Sequence, residues 1–228
     1  MAKAGAGGMP NRENSENNLS IREEIIAVAE RMFHDRGYKN TTFQKIADEI
    51  GITKSTISYH FGNKYLLLLC LIDDYFQYLR DFIDSCPQEY RNAYWRVSAM
   101  YIYFYRVITA CPKNLELFYR KDAMDIWETS KVDIVSAHYR TIIRDFHKTF
   151  SPLDLRMSVC MDLGARRRLY HEYIGGNPDL QDIETFCYYH VYLIGLLCRL
   201  DQATIEENLA CAFDFANRHT PEVPLLLR

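Results

Sequence analysis

The sequence predicts an all-α fold, a small three-helix head followed by a larger helical body. Three observations carry this. Apolar residues recur through most of the chain at the three- and four-residue spacing of one helix face. No segment keeps the apolar–polar alternation of a half-buried strand, and no two-residue hairpin turn separates β-branched runs. Gly37, Gly51, Pro87, Pro112, Pro152 and Pro178 fall between the periodic segments, where one helix must end before the next begins.

The first helix is expected from Ser20 to Arg36. Ile21, Ile25, Ile26, Ala29, Met32 and Phe33 form its stripe, Ser20 with Glu23 has the spacing of a capping box, and Gly37 ends it. The second starts after Thr41 and Thr42, with Thr41 and Gln44 again at capping-box spacing, and Gly51 ends it at Ile50. Thr53 caps a short third helix from Lys54 to His60, and a long fourth runs from Lys64 to Ser85. Helical segments then follow near 88–110, 113–128, 130–150, 152–174, 180–200 and 203–218. This divides the chain into a polar tail at 1–18, expected to be disordered, a head at 19–64 and a body at 65–228.

Composition bounds the function. With 48% hydrophobic and 25% charged residues the chain supports a sizeable core and excludes wholesale disorder. The head holds seven basic and six acidic residues, whereas the body holds 18 basic and 22 acidic. Residues 51–64 contain no acid, only Lys54, His60 and Lys64, which suits a protein presenting one end to phosphate. The seven scattered cysteines, without a C-x-x-C pair, read as free thiols packed as small core residues. Residues 1–18 lack the apolar run of a signal peptide. The most apolar stretch, 191–200, is too short to span a bilayer and contains Arg199, so the protein is expected in the cytoplasm with no membrane partner. No phosphate-binding glycine loop or nucleophile elbow occurs, and His171-Glu172 lacks the second histidine of a zinc-protease helix. An enzyme, a cofactor and a metal site are therefore not expected, although His138, His147 and Cys160 stay open as a metal-sensing alternative.

The informative stretch runs from Thr42 to Lys64. Ile46, Ala47 and Ile50 pin one helix, the turn Gly51-Ile52-Thr53 redirects the chain, and Ile57 and Phe61 anchor the next. Lys54, Ser55, Thr56, Ser58, Tyr59 and His60 are left to point outward on a helix slim enough for a major groove about 12 Å wide. This is the pattern of a helix-turn-helix.

From Ala29 to Lys64 the chain resembles the TetR-family DNA-binding domain, through A-E-R-M-F-H-D-R-G-Y, then T-T, and then I-A-D-E-I-G-I-T-K-S-T-I-S-Y-H-F-G-N-K. The resemblance implies an N-terminal helix-turn-helix domain and a C-terminal helical ligand-binding and dimerisation domain. It also implies a homodimer on a palindromic, double-stranded DNA operator, and repression relieved by a small-molecule effector, with ligand binding shifting the fourth helix. By position, Thr42 and Lys64 resemble phosphate contacts, and Thr53, Lys54, Ser55, Thr56, Ser58, Tyr59 and His60 occupy the recognition segment. The family often has glycine where Ser55 stands and an aromatic where Ser58 stands, so operator preference does not carry over.

The body holds 26 of the 31 aromatic residues, and those of the fifth helix encircle it rather than form one stripe. Trp95, Tyr101, Tyr105, Phe118, Trp127, Tyr139 and Tyr170 are candidates for lining a pocket for a mostly apolar or aromatic ligand, although aromatics at helical spacing more often build core. Arg166-Arg167-Arg168 reads as a solvated face, since successive residues spread around a helix. Phe186, Tyr189, Leu193, Leu196, Leu197, Leu200 and Phe213 are candidates for a dimer interface, with Gly195 admitting a partner helix. Control by a protein partner or a metal, in place of an organic effector, is the alternative reading.

Overall fold

The computed structural model describes residues 12–110, 114, 121–180 and 182–223, and of 12–19 and 121–131 the backbone alone. Every regular element among the described residues is helical. In chain order they are α1 (Arg12–Arg36), α2 (Phe43–Ile50), α3 (Lys54–Phe61), α4 (Lys64–Asp84), α5 (Ala93–Thr109), α6 (Lys121–Asp145), α7 (Pro152–Ile174), the 3-10 turn Pro178–Leu180, α8 (Ile183–Leu197) and α9 (Gln202–Arg218). No helix among the described residues is long and apolar enough to cross a membrane.

Two compact units divide the chain between Leu71 and Ile72, inside α4. In the first, Ile25, Ala29, Met32 and Phe33 of α1 are buried with Phe43, Ile46 and Ala47 of α2, and Ile57 and Phe61 of α3. α1 is continuous from Arg12, so Ser20 lies within a helix instead of capping one, and residues 12–18 are helical where a disordered tail was expected. Residues 1–11 lie outside the described part. The cap of α2 is Thr42, whose side chain accepts from the Lys45 amide. Thr41 is fully buried and donates to the carbonyls of Met32 and Gly37, tying the end of α1 to the start of α2, and Gln44 pairs with Asp48. The expected Thr41–Gln44 box is therefore absent.

The second unit is built around α5. Residues Tyr94, Trp95, Tyr101, Tyr103, Phe104 and Tyr105 are all buried, because α5 is covered on several sides by α6, α8 and α9. Phe76 of α4 stacks on Phe104 at 4.3 Å between ring centroids. α6 runs unbroken through Ser130, where two separate segments were expected. α7 opens with a full capping box at Ser151 and Asp154 and a proline in its first turn.

Candidate functional site

The turn between α2 and α3 is made by local chemistry. Gly51 takes a left-handed φ of 82° and its amide bonds the Ala47 carbonyl, closing α2. Thr53 then accepts from the Thr56 amide to start α3. Its hydroxyl also lies 2.7 Å from that of Ser55 and 2.9 Å from that of Thr56, so three short hydroxyls cluster at the helix entrance.

With Ile57 and Phe61 buried, the rest of α3 divides by depth. Lys54, Ser55 and Tyr59 are exposed, and Thr56, Ser58 and His60 are half-buried. Tyr59 is 80% exposed, the most of any large apolar side chain described, and its ring meets His60 edge-on at 5.3 Å. The two acids of α2 are engaged: Glu49 with Arg31 and Arg36, and Asp48 with Gln44. The outward face of α3 therefore carries donors, one ring and no carboxylate.

Lys64, expected to reach phosphate, is turned the other way. Its ammonium donates to the carbonyls of Tyr38 and Thr41 at 2.7 and 2.8 Å and sits 4.1 Å over the Tyr38 ring. It fixes the loop that presents Thr42, which is itself exposed at the start of α2.

Within the second unit, the structure gathers three of the predicted pocket residues and discards one. Trp95 packs edge-on against Phe215 at 5.1 Å and belongs to the core. Phe118 and the side chain of Trp127 lie outside the described residues. Tyr101, Tyr105 and Tyr170 converge with Phe186 and His190 on a polar cluster that the sequence reading missed. Arg166, expected on a solvated face, is inside: its guanidinium pairs with the fully buried Asp162 at 2.9 Å and lies 3.3 Å from the Tyr101 hydroxyl. Val159, Leu163 and Tyr170 are buried on the same side of α7, and Arg166 is in register with them, a signal the sequence did contain.

His190 completes the cluster. Its Nε2 lies 3.0 Å from Asp162 Oδ1 and 3.1 Å from Arg166 Nε. One nitrogen cannot donate to the first while accepting from the second, so two tautomers divide these contacts. In either tautomer Nδ1 has no partner among the described residues, and the same holds for the hydroxyls of Tyr105 and Tyr139. Burial works against the Asp162 charge, but Arg166 and the His190 bond outweigh it and hold the carboxyl below its usual range. Burial and the Arg166 charge push His190 down, and burial with Arg80 and Arg166 pushes His138 down to about 3.

The predicted dimer residues separate into two sets. Phe186 and Leu200 are buried within the unit and cannot meet a partner. Leu200 turns under because Arg199 adopts a left-handed φ of 59° and the Leu200 amide returns to the Gly195 carbonyl. Tyr189 and Leu196 are 53% and 49% exposed, and Leu193, Leu197 and Phe213 are half-buried on the same surface. Gly195 faces inward: a Cβ there would lie 2.6 Å from Ile205 and 2.8 Å from the Tyr94 hydroxyl. It admits α9 and α5, not a partner helix.

A capped helix-turn-helix with a polar, acid-free outer face, in a chain whose described regular elements are all helical, defines this as a helix-turn-helix protein. Residues 25–70 match the family model described as bacterial regulatory proteins, tetR family. The chain is 40% identical over 62 residues to the HTH-type transcriptional regulator TtgR of Pseudomonas putida, across 27% of this chain and 30% of that protein. It is 38% identical over 65 residues to the HTH-type transcriptional repressor KstR2 of Mycolicibacterium smegmatis, across 28% of each. These matches span less than a third of either relative. The crystal structure of the tetR regulator TylP from Streptomyces fradiae superposes with a TM-score of 0.43 at 16% identity, over 93% of this chain and 97% of that one.

Proposed function

We propose that the protein is a cytoplasmic, homodimeric, DNA-binding transcription regulator, a repressor that leaves a palindromic operator when a small effector occupies its helical unit. The observation that carries the reading is Tyr59, 80% exposed on a helix whose Ile57 and Phe61 are buried. A large ring held in water beside short hydroxyls has no packing purpose in the monomer and fits contact with a base edge or the DNA backbone. Lys54 and Ser55 would stand beside it in the groove, while Thr42, Thr53 and the first amides of α3 would meet phosphates. Lys64 acts here by positioning the loop.

The α8–α9 surface bearing Tyr189, Leu193, Leu196, Leu197 and Phe213 is assigned to the homodimer. Two recognition helices in successive major grooves then require centres about 34–36 Å apart. The effector is assigned to the aromatic cluster around Arg166. Buried polar atoms are ordinarily paired, and Tyr105, Tyr139 and His190 each offer one without a partner among the described residues. Such a site suits a largely aromatic ligand with one or two polar handles. The relatives, a transcriptional regulator and a transcriptional repressor by name, support the overall reading.

The test is a titration of the purified protein with labelled DNA from upstream of its own gene, at two salt concentrations, beside Tyr59→Ala. Tight binding that weakens steeply with salt and loses at least tenfold in the variant supports the regulator. Absence of salt-dependent binding, there and with genome-selected fragments, removes it.

A further inference from the structure

The helical unit also carries a groove between α6 and α7 with a volume of about 820 Å³. Arg140, Arg144, Lys148 and Arg156 line it, and no acidic side chain among the described residues does. Arg140, Arg144 and Lys148 follow at four-residue steps, so three charges run down one side of α6 and into the loop that leaves it. Arg156 meets the groove from α7.

Other arginines on this unit are paired: Arg91 with Glu207, Arg96 with Asp84, Arg106 with Glu184 and Arg218 with Glu89. The four groove cations have no ion pair or side-chain hydrogen bond among the described residues. Three acids on the flanking segments are already engaged. Asp145 accepts from the Ala93 amide, Asp154 from Ser151 and Arg199, and Asp201 caps α9. Four cations without an ion pair among the described residues, gathered around one concavity, build a positive potential that an anion would relieve.

Between the charges the wall is apolar. Val159 is buried, and Ile143, Phe150 and Leu155 are half-buried along the groove. The volume lies within the range of about 300–1,000 Å³ found for small-molecule clefts. Guanidinium groups pair with phosphate oxygens through two parallel hydrogen bonds, and the apolar wall takes a hydrocarbon chain.

We propose that the α6–α7 groove is a binding site for a soluble single-chain amphiphile whose head group is a phosphate or another multiply charged anion. The site lies wholly in the helical unit and does not rest on the DNA-binding reading.

Calorimetric titration of the full chain with octyl phosphate below its micelle concentration, beside 1-octanol and inorganic phosphate, tests this. Octyl phosphate is expected to bind at least tenfold more tightly than either of the others, and less tightly as salt rises. Arg144→Glu with Arg156→Glu should weaken it at least tenfold while leaving the unfolding temperature and 1-octanol binding unchanged. Arg144→Gln with Arg156→Gln should weaken it in the same direction by less. The proposal is overturned if octyl phosphate binds no better than 1-octanol, or if the charge-reversed protein binds it equally. Sedimentation with vesicles of phosphatidylcholine and phosphatidylglycerol separates the sources. Arginine-dependent sedimentation without octyl phosphate binding assigns the charges to a bilayer surface and also overturns it.

Discussion

Asp162 and Arg166, one turn apart on α7, form a 2.9 Å ion pair in which the carboxylate is fully buried and the guanidinium nearly so. Removing one partner strands the other charge. Arg166→Met should cost about 3–5 kcal/mol in urea unfolding, and Arg166→Met with Asp162→Asn should recover much of that. A single variant as stable as wild type would mean that the charge at Asp162 reaches water.

Tyr59 contributes little to the monomer, being 80% exposed. Tyr59→Ala should leave unfolding within about 0.5 kcal/mol of wild type, so that any loss of DNA affinity is a loss of contact. A large drop in the unfolding midpoint would assign the ring to packing instead.

Lys64 should act on stability more than on phosphate. Lys64→Met leaves the carbonyls of Tyr38 and Thr41 without their donor and should destabilise the first unit by about 1–3 kcal/mol. The dependence of DNA binding on salt should keep its slope. A slope smaller by about one ion would restore the phosphate contact that the sequence suggested.

Gly195→Ala inserts a methyl group 2.6 Å from Ile205 and 2.8 Å from the hydroxyl of Tyr94, which donates to the Val191 carbonyl. A cost of about 1–3 kcal/mol is expected from overpacking, read in the unfolding midpoint. Weakened dimerisation with an unchanged midpoint would instead place Gly195 at the partner surface.

His138 and His190 are both held neutral in the folded chain, His138 down to about 3. The unfolded chain takes up these protons near pH 6.5 and the folded chain does not. Stability is therefore fully present above that pH and falls as pH drops towards the folded values. For His138 the loss by pH 5 is up to about 2 kcal/mol, and His138→Gln should flatten the curve of unfolding midpoint against pH between 7 and 5.

The helix-turn-helix was legible in the sequence because its instructions are local. Thr53 caps the helix it begins, Gly51 supplies the left-handed turn, and Ile57 and Phe61 bury the side that leaves Tyr59 outside, all within a dozen residues. The helical character of the body was legible for the same reason, since periodicity is a property of one segment. What an apolar or charged face meets is not. Phe186 and Leu200 read as one surface with Leu193 and Leu196 until the turn at Arg199 folds Leu200 inward. Arg166 read as solvated until Asp162 and His190 enclosed it, and Lys64 read as a clamp for phosphate until two backbone carbonyls claimed its protons. A sequence states how a helix is patterned. Which partner satisfies each face depends on chain crossings tens of residues away, and only the tertiary structure decides those.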